Sequence, residues 1–139
     1  MVDQNCAYCV EGDLVAKFGI KICELETSNV YLFKEQSHPG RCIVAHKKHV
    51  GDMNELTAEE RAAYFEDVAR VARAIMAAFH PDKVNYGAYG DTGHHLHFHL
   101  CPKYKDEFEW GGVFLMNPDK KYLSDEEYAD MIAKIKANL

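Results

Sequence analysis

No run of this 139-residue chain approaches the roughly 20 consecutive apolar residues of a membrane-crossing helix, so no membrane partner is expected. No long Lys/Arg patch is present either, and 16 basic against 22 acidic side chains leave a formal charge of −6. That balance argues against general affinity for nucleic acid polymers or anionic membrane surfaces; an anionic ligand needs locally focused positive charge or backbone dipoles. The opening Met1-Val2-Asp3-Gln4-Asn5 lacks the basic start and apolar stretch of a secretory signal. Five cysteines form no evident disulfide framework, which implies reduced thiols and a cytoplasmic setting. Internal repeats, low-complexity tracts and linkers are absent, so residues 1–139 read as a single domain. An apolar content of 47% suffices for a core without disulfide help.

The pattern present is strands, a long helix, strands, then a short helix. Leu14 to Phe18, Ile20 to Leu25 and Val30 to Phe33 are β-prone runs parted by Gly19 and Ser28-Asn29. Arg41 to Ala45 follows the turn signal His38-Pro39-Gly40 and reads as another strand. Thr57-Ala58-Glu59-Glu60 has capping-box spacing, and Phe65, Val68, Ala72, Ile75 and Phe79 recur behind it at helical intervals until Pro81. Lys83 to Tyr89 and His95 to Cys101 are two further strands, joined through Gly90-Asp91-Thr92-Gly93. A second capping box, Ser124 to Glu127, opens a helix that buries Tyr128, Met131, Ile132 and Ile135. Short connections and a majority of strands predict an α+β domain with a largely antiparallel sheet.

His95-Leu96-His97-Phe98-His99-Leu100 alternates imidazoles with apolar residues. Successive side chains of a strand point to opposite faces, so His95, His97 and His99 share one face and the apolar residues take the other. A single strand histidine is usually structural. Three in register point to metal binding or to work on an anionic substrate.

Cys6-Ala7-Tyr8-Cys9 is the second chemical signal. Two thiolates at this spacing can grip one zinc ion, which needs two more ligands to be tetrahedral. No second C-x-x-C exists, so histidines are the obvious remainder, and His49 or His95 could close a Cys₂His₂ set. Two cysteines that merely pack near a terminus are the plain alternative.

His95 to Cys101, with the block Pro39-Gly40-Arg41-Cys42-Ile43-Val44-Ala45-His46-Lys47-Lys48-His49 upstream, resembles the histidine triad (HIT) superfamily. Element order agrees from Cys6 to about Pro102. The resemblance implies a HIT-like α+β fold, with a mainly antiparallel five-stranded sheet, one long helix and one short. It implies cleavage of nucleotides at the α-phosphate, with dinucleoside polyphosphates or nucleoside phosphoramidates as substrates, and a homodimer paired through the long helix and a sheet edge. His97 is then the nucleophile that forms a nucleotidyl-histidine, and His99 donates to a phosphate oxygen or the leaving group. Thr92 takes a phosphate-contacting position. The zinc-bearing branch implies a structural zinc on Cys6, Cys9, His49 and His95, with no open coordination position.

This chain departs from the pattern in places. Arg41 stands where many relatives carry a histidine, and a guanidinium there can clamp phosphate oxygens. The stretch from Val30 to Pro39 is about two residues shorter than in many members, which leaves Glu35 as the best ribose-binding candidate and Gln36 second. Asp91 sits where an asparagine often meets substrate. Phe18, Tyr31 and Phe33 read as core first and as a nucleobase slot second. Two other functions stay open: a nucleotide-binding regulatory protein with little turnover, and a metalloenzyme that uses the three strand histidines as direct ligands.

Overall fold

The computed structural model describes residues 2–139. It opens with two single-turn helices, α1 (Ala7–Val10) and α2 (Asp13–Ala16). The second falls where the Leu14 to Phe18 strand was expected. Val15 and Phe18 are three residues apart, which puts both on one side of a helical turn but on opposite faces of a strand, and both pack on the same small cluster. Strands β1 (Gly19–Glu24), β2 (Ser28–Phe33) and β3 (Cys42–His46) follow. A 3₁₀ turn at Met53–Glu55 leads into α3 (Ala58–Phe79). Strands β4 (Lys83–Gly87) and β5 (His97–Lys103) and helix α4 (Asp125–Ala137) complete the chain. The five strands form one antiparallel sheet in the order β1-β2-β3-β5-β4, as the α+β reading expects.

Both expected capping boxes are present: Thr57 with Glu60 starts α3, and Ser124 with Glu127 starts α4. Helix α3 stops where His80 turns left-handed at φ 53° immediately before Pro81. Its buried stripe, Tyr64, Val68, Val71, Ala72 and Ile75, covers Val30, Leu32, Val44, Phe98 and Leu100 on one sheet face. Tyr128 and Ile135 of α4 join that core. The Tyr64 hydroxyl donates to the Val44 carbonyl at 2.8 Å, which pins the helix over the middle of the sheet. The Asp67 carboxylate accepts from the Thr27 backbone and from the Thr27 and Ser28 hydroxyls at 2.7–2.9 Å, tying α3 to the β1–β2 turn.

The opposite sheet face carries Tyr31, Phe33, Ile43 and Ala45, covered by Val15, Ala7, Tyr8 and Phe18. Register decides what else lies there. Ala45 pairs with His97 and Ile43 with His99, while Val44 pairs with Phe98. The imidazoles therefore share the second face and Phe98 enters the α3 core, as the alternation predicts.

Residues 105–123 have no regular secondary structure and close over the end of β2 and β3. Buried Lys103 donates to the Glu109 and Gly112 carbonyls at 2.8 and 2.6 Å, and the Gln36 N–H donates to the Lys121 carbonyl at 2.8 Å. At the β2–β3 turn Gly40 has φ +93°, and a Cβ there would lie 2.6 Å from the Phe79 ring. Only glycine meets both demands without strain.

Candidate active site and metal centre

Strand β5 and the residues just before it set the site. His95, His97 and His99 are almost wholly buried, at 1%, 7% and 3% exposure, yet all three border one cavity of about 730 Å³. Phe18 and Phe33 form part of its apolar side, the 90–93 loop forms another side, and Met116 and Asn117 close it from the C-terminal quarter. No lysine or arginine lines it among the described residues.

The His97 Nδ1–H donates to the His95 carbonyl at 2.5 Å. A neutral imidazole has one N–H, so Nε2 keeps its lone pair. Burial holds the His97 pKa below the ordinary imidazole value, so the ring stays unprotonated at neutral pH. Tyr8 lies against it, with ring centroids 4.8 Å apart, and against His95 at 5.4 Å. A Cβ on Gly93 would come within 4.0 Å of the His97 ring, so the glycine loop brings backbone close to the reactive imidazole.

His95 faces a different partner set. Its Nε2–H donates to the His46 carbonyl at 2.6 Å, which leaves Nδ1 as the free nitrogen. That Nδ1 lies 3.3 Å from Cys6 Sγ, 3.6 Å from Cys9 Sγ and 3.1 Å from His49 Nδ1. Cys9 Sγ is 3.2 Å from His49 Nδ1, and all four donor atoms lie within 4.8 Å of one another. Around one tetrahedral zinc, ligand nitrogens stand about 3.3 Å apart and nitrogen–sulfur pairs about 3.6 Å apart. The four side chains fit that template, and the His46 carbonyl orients His95 as an outer partner of a metal ligand should.

Thr92 and Asp91 line the cavity. Arg41 and Glu35 are not among its lining residues. Arg41 is fully buried behind His99. Its guanidinium lies over Phe33 at 4.2 Å and Phe114 at 4.8 Å, and it donates to the carbonyls of Leu115 and Met116 at 3.1 and 2.8 Å. The Glu35 carboxylate is used internally. It accepts from the Ser37 backbone and hydroxyl and from the Lys120 and Lys121 backbone N–H groups at 2.6–3.0 Å. Gln36 is likewise engaged, accepting from the Gly40 N–H at 2.9 Å. Of the three aromatic candidates, Phe18 and Phe33 border the cavity, while Tyr31 donates to Glu11 at 2.5 Å outside its lining. Sequence reasoning passed over Tyr8, Met116 and Asn117. Tyr8 was visible as the aromatic between two candidate ligands; the other two sit in a stretch without periodicity.

An antiparallel α+β sheet with three histidines in register over a glycine-lined cavity defines the class. The HIT domain family model matches residues 19–106, and the chain belongs to that family. It is 29% identical over 123 residues to Protein hit of Bacillus subtilis (strain 168), covering 84% of this chain and 83% of that protein. It is 28% identical over 116 residues to adenosine 5′-monophosphoramidase hnt1 of Schizosaccharomyces pombe, covering 77% and 80% of the two chains. Among solved structures it superposes on a histidine triad protein of Sinorhizobium meliloti with a TM-score of 0.84 at 23% identity, covering 92% of this chain and 95% of that one. A zinc-bound histidine triad family protein of Mycobacterium smegmatis matches with a TM-score of 0.67 at 22% identity, covering 96% and 94%.

Proposed function

We propose that this protein is a nucleotide hydrolase or transferase that cleaves at the α-phosphate of a dinucleoside polyphosphate or nucleoside phosphoramidate through a nucleotidyl-His97 intermediate. The observation that carries the reading is the His97 ring, tied through Nδ1–H to the His95 carbonyl with Nε2 unprotonated at the cavity. The phosphoramidase relative supports the same chemistry.

The Nε2 lone pair attacks phosphorus in line, a P–N bond forms, and the bond to the leaving group breaks. Water then cleaves the P–N bond and returns the imidazole, so two easier displacements replace one. Developing negative charge meets the N–H groups of the 90–93 loop and a proton on His99. Thr92 and Asn117, both in the cavity lining, would orient the phosphate and its substituents. Phe18 and Phe33 offer flat apolar surface to a base.

Cys6, Cys9, His49 and His95 would hold one structural zinc. With four protein ligands such an ion would leave no open position for water; it would fasten α1 beside β5, where Tyr8 lies against His97. The reading with all three strand histidines as metal ligands is less well supported. His97 spends Nδ1 on a carbonyl, His99 Nδ1 faces a guanidinium, and only His95 joins the cysteines. A homodimer follows the resemblance, and an exposed patch with Met76 and Tyr86 on α3 and edge strand β4 is available for it. A cytoplasmic setting suits the five free thiols.

The test is to trap the adduct with a dinucleoside polyphosphate or a nucleoside phosphoramidate and map the modified side chain by mass spectrometry. Adduct on His97, lost with turnover in His97→Ala, is expected; turnover that survives this substitution overturns the reading.

A further inference from the structure

We propose that Arg41 is a positioning residue: from behind the cavity wall its guanidinium fixes His99 as the tautomer that carries its proton on Nε2. Arg41 Nη2 lies 3.0 Å from His99 Nδ1. Guanidinium nitrogens only donate, so this contact has one possible sense, and His99 Nδ1 must present a lone pair. The single proton of the neutral ring then sits on Nε2. Protonating Nδ1 would set an N–H against a permanent cation, so the same contact keeps the ring neutral.

The guanidinium has little freedom to turn away. Phe33 and Phe114 flank it, and the carbonyls of Leu115 and Met116 accept from Nη1 and Nη2. No carboxylate forms an ion pair with it among the described residues, and its Nε is buried without a partner. A buried cation without a counter-ion is costly, and hydrogen bonds to two carbonyls and an imidazole offset only part of that cost. Here it supplies positive charge one imidazole behind a cavity that has no lysine or arginine of its own. A neutral Nε2–H backed by that charge is a suitable donor to a phosphate oxygen or leaving group. The same fork holds the Leu115–Met116 backbone, so the tautomer and the Met116–Asn117 wall are set by one side chain. Arg41 thus acts in a way its sequence position did not suggest, through His99 rather than on substrate.

The catalytic use of the Nε2–H rests on the function proposed above; the tautomer does not. The experiment is therefore spectroscopic first. Long-range proton–nitrogen correlation of the nitrogen-15-histidine-labelled full chain, near neutral pH, should show His99 protonated on Nε2 with Nδ1 as an acceptor. Arg41→Met should turn this into a mixture of tautomers, and Arg41→Lys, which keeps a cationic donor, should restore the Nε2–H pattern. With a nucleoside phosphoramidate as probe, Arg41→Met should lower kcat about a hundredfold, the lower end of what a positioned proton donor contributes, with little change in KM. Arg41→Lys should recover most of kcat but raise KM, because an ammonium cannot span both carbonyls. An Nδ1–H His99 in the wild-type chain overturns the proposal even if the Met variant fails to fold, as does an unchanged pattern in a folded Met variant. Should no adduct form on His97 of the wild-type chain, the proposed reaction fails, and the spectrum still decides the role of Arg41.

Discussion

Replacing His99 by asparagine removes one imidazole from the cavity wall and leaves an acceptor for Arg41, which isolates the acid sensitivity carried by that ring. Burial, the Arg41 guanidinium just before β3 and His97, which shares β5 with His99, hold the His99 pKa down at about 3, and its remaining neighbours Phe33 and Phe114 are uncharged. In the unfolded chain an imidazole titrates near about 6.5. Between these values the unfolded chain binds a proton that the folded chain refuses, so stability falls as pH drops below about 6.5 and is insensitive to this group above about 7. At about pH 5 the loss from His99 alone comes to about 2 kcal/mol. Urea unfolding followed by far-ultraviolet circular dichroism, at about pH 8 and about pH 5, measures it. His38, His46 and His97 are also held below their usual value, chiefly by burial, but they titrate in both proteins and cancel in the difference. Carboxylates and zinc ligands cancel likewise. The wild-type chain should lose about 2 kcal/mol more than His99→Asn on acidification. Equal losses in the two proteins would refute the reasoning.

Elemental analysis of the purified protein should find about one zinc per chain, and Cys6→Ser or Cys9→Ser should release it and lower the melting temperature. A metal content that neither substitution changes would sink the site. Glu35→Gln should destabilise by about 2 kcal/mol, since a carboxylate receiving three backbone N–H groups and a hydroxyl gives way to a single carbonyl oxygen. Denaturation reads this directly, whereas a rise in KM with stability unchanged would return Glu35 to the ribose. Gly40→Ala should cost about 2 kcal/mol, because an L side chain must adopt φ +93° while its Cβ meets Phe79 at 2.6 Å. A melting temperature equal to that of the parent would contradict the strain.

What was legible in the sequence is what local periodicity encodes. Alternation at His95 to Leu100 placed the histidines and Phe98 on opposite sheet faces, and both capping boxes marked helix starts. The converging set of Cys6, Cys9, His49 and His95 was reached through the family resemblance, because spacing alone left two histidines open. Neither Arg41 nor Glu35 lines the cavity, for one shared reason. Each also bonds the backbone of residues 115–121, more than 70 positions away, and a charged side chain that anchors a distant loop looks in sequence like one that meets a ligand. Residues 14–18 failed because short apolar runs fit a helical turn and a strand equally well.

The clasp between Glu35 and the backbone of Lys120 and Lys121 joins points 85 and 86 positions apart. On a ribosome, all five strands and α3 are made before that partner exists, so the wall holding Met116 and Asn117 is the last part of the pocket to be laid. A chain released before Lys120 would have a complete sheet and three buried histidines, yet a vessel open on one side. Its competence waits on the segment that follows the sheet.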